Sequence, residues 1–142
     1  MNYSGSCLCG NVKFRVNTDI HSMYHCHCSL CRKQSGTAAN AATLINQQYF
    51  EWTSVTSSIF CYQKETGFRS HFCQRCGSPV PNQVGTTALI WIPLGLLDNA
   101  PKIQQKLSFC LSSKITWADE IKVNQSYAEL PEFEELLSYF DQ

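Results

Sequence analysis

Cys26-His27-Cys28-Ser29-Leu30-Cys31-Arg32-Lys33 sets three thiols within six residues and ends on a basic pair. Two further pairs flank it, Cys7-Leu8-Cys9-Gly10 upstream and Cys73-Gln74-Arg75-Cys76-Gly77 downstream. Seven of the nine cysteines therefore fall in three compact groups, while Cys61 and Cys110 stand apart. An odd count arranged as close C-x-C and C-x-x-C pairs reads as metal-binding thiolates in a reducing compartment rather than as disulfides. A chain of 142 residues can bury a core without such help, so a metal here shapes a site more than it rescues a fold.

The rest of the composition excludes several classes of partner. Eleven basic residues balance eleven acidic ones, which leaves no overall charge to attract nucleic acid or anionic lipid, with a local basic patch still open. The opening Met1-Asn2-Tyr3-Ser4-Gly5-Ser6 has neither the basic region nor the apolar run of a secretory signal. The most apolar stretch, from Ala88 to Leu97, is broken by Pro93 and Gly95 and falls well short of the roughly 20 residues needed to span a bilayer. The expectation is one domain over residues 1–142, cytoplasmic, with no membrane or nucleic-acid partner; the oligomeric state is not legible.

Working outward from the triplet, the chain reads as mainly β. Val12, Phe14 and Val16 alternate with Lys13 and Arg15, the pattern of a half-buried strand, so Cys7 and Cys9 sit at the turn leading into it. Met23-Tyr24-His25 feeds the triplet as a strand, and Leu30 to Gln34 forms a turn of helix closed by Gly36. Thr37–Ile45 is compatible with a buried strand, although its alanines leave a helix open; strands are also expected over Tyr49–Trp52, Ile59–Tyr62 and Phe68–Phe72, the last delivering Cys73 and Cys76 as a knuckle, and then over Thr86–Trp91 and around Leu107–Leu111. A short C-terminal helix is predicted over about 131–140. Pro131 suits its first position, Glu132, Glu134 and Glu135 its positive end, and Phe133, Leu136, Leu137 and Phe140 make an apolar stripe that should pack as a lid on the β core.

Spacing divides the clustered cysteines four plus three. A structural zinc takes four protein ligands, whereas a catalytic zinc typically has three and an open position. Cys7, Cys9, Cys73 and Cys76 can close one site among themselves, leaving Cys26, Cys28 and Cys31 one ligand short. Alternatively Cys61, Cys110, His25, His27 or His71 folds in and closes the triplet as a second structural site. Within an extended segment His27 points away from its cysteine neighbours, His25 and His71 read as strand histidines, and Cys61 and Cys110 read as core residues. A zinc held by three thiolates favours a soft sulfur ligand and deprotonates a thiol, which points to a thiol substrate. Arg32 and Lys33 could offset the negative charge of that site or grip a substrate carboxylate, the bland alternative being a solvated face after a turn.

The runs Gly5–Val12, Cys26–Gly36 and Phe72–Ser78, together with Gly95-Leu96-Leu97-Asp98 and Ser113-Lys114-Ile115-Thr116-Trp117, resemble the glutathione-dependent formaldehyde-activating enzyme family, which includes centromere protein V-like proteins. The resemblance covers about residues 5–117. It implies a tent-like zinc-bound β-sheet domain of the Mss4-like fold, with two zincs per chain. The structural zinc would lie at Cys7, Cys9, Cys73 and Cys76 and the catalytic zinc at Cys26, Cys28 and Cys31. The implied activity is that of a carbon–sulfur lyase joining a thiol such as glutathione to a small aldehyde such as formaldehyde through a zinc-bound thiolate. Many members carry a His-Ile pair where this chain has Lys106-Leu107-Ser108-Phe109. The alternative reading is a non-enzymatic zinc module that binds a protein partner.

Overall fold

A computed structural model describes residues 1–118 and 123–140. The chain opens with an antiparallel pair, β1 (Tyr3–Ser6) and β2 (Lys13–Val16). The alternation in β2 is realised as expected, with Phe14 and Val16 buried and Lys13 and Arg15 exposed. Strand β3 (Ser22–Cys26) runs into helix α1 (Ser29–Ser35), which Gly36 stops in the left-handed conformation with φ 68°, its N–H donating to the Arg32 carbonyl. The small and β-branched residues that follow form β4 (Asn40–Asn46), and after a short helical turn comes β5 (Phe50–Trp52).

The second half is a hairpin and then more sheet. Strands β6 (Ile59–Gln63) and β7 (Arg69–Cys73) pair with each other, while β8 (Asn82–Gln83), β9 (Leu89–Pro93) and β10 (Gln105–Phe109) complete a five-stranded sheet in the order β10-β3-β4-β9-β8. The other sheet is β1-β2-β5. The β3–β10 pairing is parallel, with Cys26 opposite Phe109, and every other strand pairing among the described residues is antiparallel.

Two cores result. The larger joins Tyr3, Phe14 and Val16 of the three-stranded sheet to Ile45, Ile90 and Ile92 of the five-stranded one, with Ile20 added from the connection between β2 and β3. The smaller consists of Cys7, Val12, Cys73 and Val80, so one pair of cysteine motifs is itself core material. Gly5 lies where the sheets meet: a Cβ there would sit 2.9 Å from the Leu96 carbonyl oxygen and press into the Phe14 ring. Both neighbours are held, one by backbone and one by burial, so Gly5→Ala should destabilise by about 2 kcal/mol and lower Tm by about 7 °C. Thermal denaturation checks this, and an unchanged Tm would contradict it.

Three expectations are corrected. Cys61 is exposed, because β6 belongs to a two-stranded hairpin with no second layer over that face among the described residues. Cys110 is also exposed, because it follows an edge strand whose five residues are all exposed. The C-terminal helix forms as α2 (Phe133–Ser138), shorter than 131–140, and does not act as a lid. None of its residues is buried, and Phe133 and Phe140 are 69% and 71% exposed. Its apolar stripe spans too few turns to cover a sheet, and its polar contacts are local, with Tyr127 donating to Glu135 and meeting Tyr139. Among the described residues no helix is long and apolar enough to cross a membrane.

Candidate metal centre

The first cysteine group is built from two similar turns. Between β1 and β2, Gly10 at φ 76° donates its N–H to the Cys7 carbonyl at 2.9 Å, and the Val12 N–H reaches back to Cys7 Sγ at 3.3 Å. After β7, Gly77 at φ 77° donates to the Cys73 carbonyl at 2.7 Å. An added Cβ would meet nothing at either glycine, so the left-handed backbone alone accounts for the residue type. The turns are stitched together by Leu8 N–H to Ser78 Oγ at 3.0 Å, and Asn11 Nδ2 to Ser58 Oγ at 2.6 Å ties the first turn to the start of the hairpin.

This stitching brings four sulfurs to within 4.8 Å of one another. Cys7 to Cys9 is 3.6 Å and Cys9 to Cys73 is 3.9 Å, close to the roughly 3.8 Å edge of a sulfur tetrahedron with Zn–S near 2.3 Å. Electrostatics separates the same sulfurs. The Asn11 amide lowers Cys9, but desolvation and the neighbouring cysteines push it up to about 11. Desolvation also opposes ionisation of Cys76, but the hydroxyl and amide of Ser78 outweigh it and draw the thiol down to about 6. Four thiolates this close repel unless a cation sits among them, so the donor set fits a thiophilic divalent ion such as zinc.

The second group forms where β3 becomes α1. Cys26 ends the strand, and Cys28 is the N-cap of the helix, its Sγ accepting from the Cys31 N–H at 3.3 Å. The sulfurs of Cys26, Cys28 and Cys31 lie within 4.8 Å of one another. Burial pushes Cys31 and Cys26 up, whereas at Cys28 burial is outweighed by the Cys31 amide and the adjoining thiols, which lower it. This donor set too fits zinc. Cys110 Sγ approaches Cys26 Sγ at 3.9 Å but stands outside the three-sulfur group, and no histidine belongs to either group among the described residues.

Beside Cys31 opens a cavity of about 440 Å³. Tyr24, Gln34, Asn40, Arg69 and Trp91 line it together with Cys31. A polar relay fixes one wall: Asn40 Nδ2 donates to Gln34 Oε1 at 2.9 Å, and Gln34 Nε2 donates to Ser70 Oγ at 3.0 Å. Lys33 lines an adjoining cavity of about 300 Å³ that shares Gln34 and Phe68 with the first, whereas Arg32 lines neither. Sequence reasoning missed Tyr24, Asn40, Arg69 and Trp91. The available signal was a polar residue heading an otherwise small and apolar run at Asn40, and Arg69 on the strand that delivers Cys73.

The profile of the glutathione-dependent formaldehyde-activating enzymes matches residues 2–113. The chain belongs to that family. A similar curated protein from Halomonas elongata, provisionally named a glutathione-dependent formaldehyde-activating enzyme, is 36% identical over 80 residues, covering 52% of this chain and 51% of the relative. The match thus spans about half the length of that relative. A crystal structure of a Rhodobacter sphaeroides protein superposes with a TM-score of 0.57 at 20% identity, covering 68% of this chain and 89% of the other, and so shares the fold. In this member of the formaldehyde-activating family the matched span contains all nine cysteines and every residue named at the two sulfur groups and the cavity.

Proposed function

We propose that the protein is a zinc-dependent carbon–sulfur lyase that joins a glutathione-like thiol to a formaldehyde-like aldehyde at Cys26, Cys28 and Cys31. The observation that carries this reading is a group of three sulfurs, not four, opening beside a cavity large enough for a small thiol. Cys7, Cys9, Cys73 and Cys76 would hold a structural zinc and the triplet a catalytic one. When bound at the triplet, zinc supplies an acceptor for a soft sulfur donor and favours its deprotonated form.

The reaction forms one S–C bond and breaks one S–H bond, and the proton passes to the aldehyde oxygen. Tyr24 is the side chain suited to that oxygen: burial pushes its hydroxyl up to about 12, so it stays protonated at neutral pH and can donate a hydrogen bond. The Asn40–Gln34–Ser70 relay holds the wall next to Cys31 in one arrangement, and Trp91 and Phe68 offer apolar surface to the thiol's stem. Arg69 and Lys33, on the two adjoining cavities, are the groups for substrate carboxylates.

Hemithioacetal formation from glutathione and formaldehyde tests the reading, and a rate no faster than the uncatalysed reaction would end it. The carboxylate role has its own prediction. Arg69→Ala should raise KM for glutathione about tenfold with kcat little changed, the signature of lost ground-state binding, while a thiol without carboxylates should show no such change. The non-enzymatic zinc module remains the second reading, supported by Phe60 and Tyr62, which stand 57% and 58% exposed on the hairpin. Retention of both zincs with no rate enhancement would favour it.

A further inference from the structure

Cys110 is an anomaly in both backbone and surroundings. Among the described residues it is the one non-glycine with positive φ, at 59°, a conformation that is strained for a residue with a Cβ. It sits one residue beyond Phe109, the parallel ladder partner of Cys26, and the His27 N–H donates to the Phe109 carbonyl at 2.9 Å. Strand pairing therefore fixes Cys110 beside Cys26, although 84 positions separate them, and the sulfurs stand 3.9 Å apart. Cys110 is exposed, and Cys26 is part-exposed.

The distance matches the spacing inside the four-sulfur group, yet Cys110 lies outside the triplet. It adjoins one ligand of the proposed catalytic metal and does not complete the set. We infer that Cys26 and Cys110 are an oxidisable pair, closing to a disulfide that withdraws Cys26 from the metal. The two sulfurs need to approach by about 1.9 Å to reach bonding distance, which side-chain torsions at an exposed turn supply. The oxidant is a low-molecular-weight disulfide such as oxidised glutathione. The Cys110 thiolate attacks one of its sulfurs and releases one glutathione thiolate. The Cys26 thiolate then attacks the Cys110 sulfur and releases the second. Two protein thiolates are oxidised and one small disulfide is reduced to two thiolates, so atoms and electrons balance. With two thiolates left, the triplet would no longer hold a zinc bound there.

The test reads disulfides and zinc without the lyase assay, so its failure is distinct from failure of the proposed activity. Zinc-loaded protein is incubated with oxidised glutathione, zinc release is followed with a chromogenic chelator, and the products are digested with trypsin without reduction. The expected result is a linked pair of peptides, one spanning 16–32 and one spanning 107–114, absent in both Cys26→Ser and Cys110→Ser. Zinc release should be slowed about tenfold or more in Cys110→Ser, as expected when the attacking thiol is removed, and unchanged in Cys61→Ser. Cys110→Ser changes an exposed side chain, so it keeps the zinc test valid where Cys26→Ser folds poorly. Oxidation confined to the 16–32 peptide, Cys110 held only as a mixed disulfide with glutathione, or zinc release equal in wild type and Cys110→Ser would each overturn the inference.

Discussion

Cys73→Ser should cost about 4 kcal/mol or more and lower Tm by about 15 °C, or abolish folding outright. Cys73 is wholly buried and shares its small core with Cys7, Val12 and Val80. Its N–H donates to the Ser78 carbonyl, and its sulfur stands 3.9 Å from that of Cys9. A serine there places a hydroxyl in an apolar pocket, at about 1–3 kcal/mol, and removes one of four sulfurs from the group that joins the β1–β2 turn to the β6–β7 hairpin. Loss of the structural zinc proposed there would add to that penalty. Melting followed by circular dichroism, with zinc content measured on the same sample, checks it. A Tm within about 3 °C of wild type, a shift worth less than about 1 kcal/mol in a domain of this length, would mean that the sulfur cluster does not hold these segments together.

Cys28→Ser should do the opposite, leaving the fold nearly intact while lowering kcat/KM for hemithioacetal formation by about 100-fold or more. Cys28 caps α1 through its sulfur. Serine is among the best N-cap residues and can accept the same Cys31 N–H, so the helix keeps its start and Tm should move little. The change thus removes a thiolate from the triplet without removing the local structure around it. Steady-state rates and melts on one preparation read both effects. Wild-type activity in this variant would sink the assignment of chemistry to the triplet, and a collapse of Tm would mean that the triplet is structural.

Much of this arrangement is written in local pattern. Alternation from Val12 to Val16 marks β2, and the glycines after Cys9 and Cys76 mark the two turns, because only backbone in the left-handed region closes them. Helix α1 and its stop at Gly36 follow from the same rule. The four-plus-three grouping of sulfurs was readable because each motif carries its own turn. What local pattern cannot carry is which layer, if any, covers a strand. Cys61 and Cys110 lie in apolar company yet are exposed, since the first stands on an uncovered hairpin and the second follows an edge strand. The stripe on α2 is real in sequence and unburied in three dimensions for the same reason. The cavity was hidden more deeply: Tyr24, Asn40, Arg69 and Trp91 come from β3, β4, β7 and β9, and meet only once the strand order is known.

The central claim is that the two sulfur groups differ, one closed by four thiolates and one open at three. Zinc release to a competing chelator, recorded alongside far-ultraviolet circular dichroism, tests it most directly. The account predicts two zincs per chain, one leaving quickly while the spectrum stays native and the other leaving only as the fold is lost. One zinc or none per chain, or two that leave together at the same rate, would contradict it.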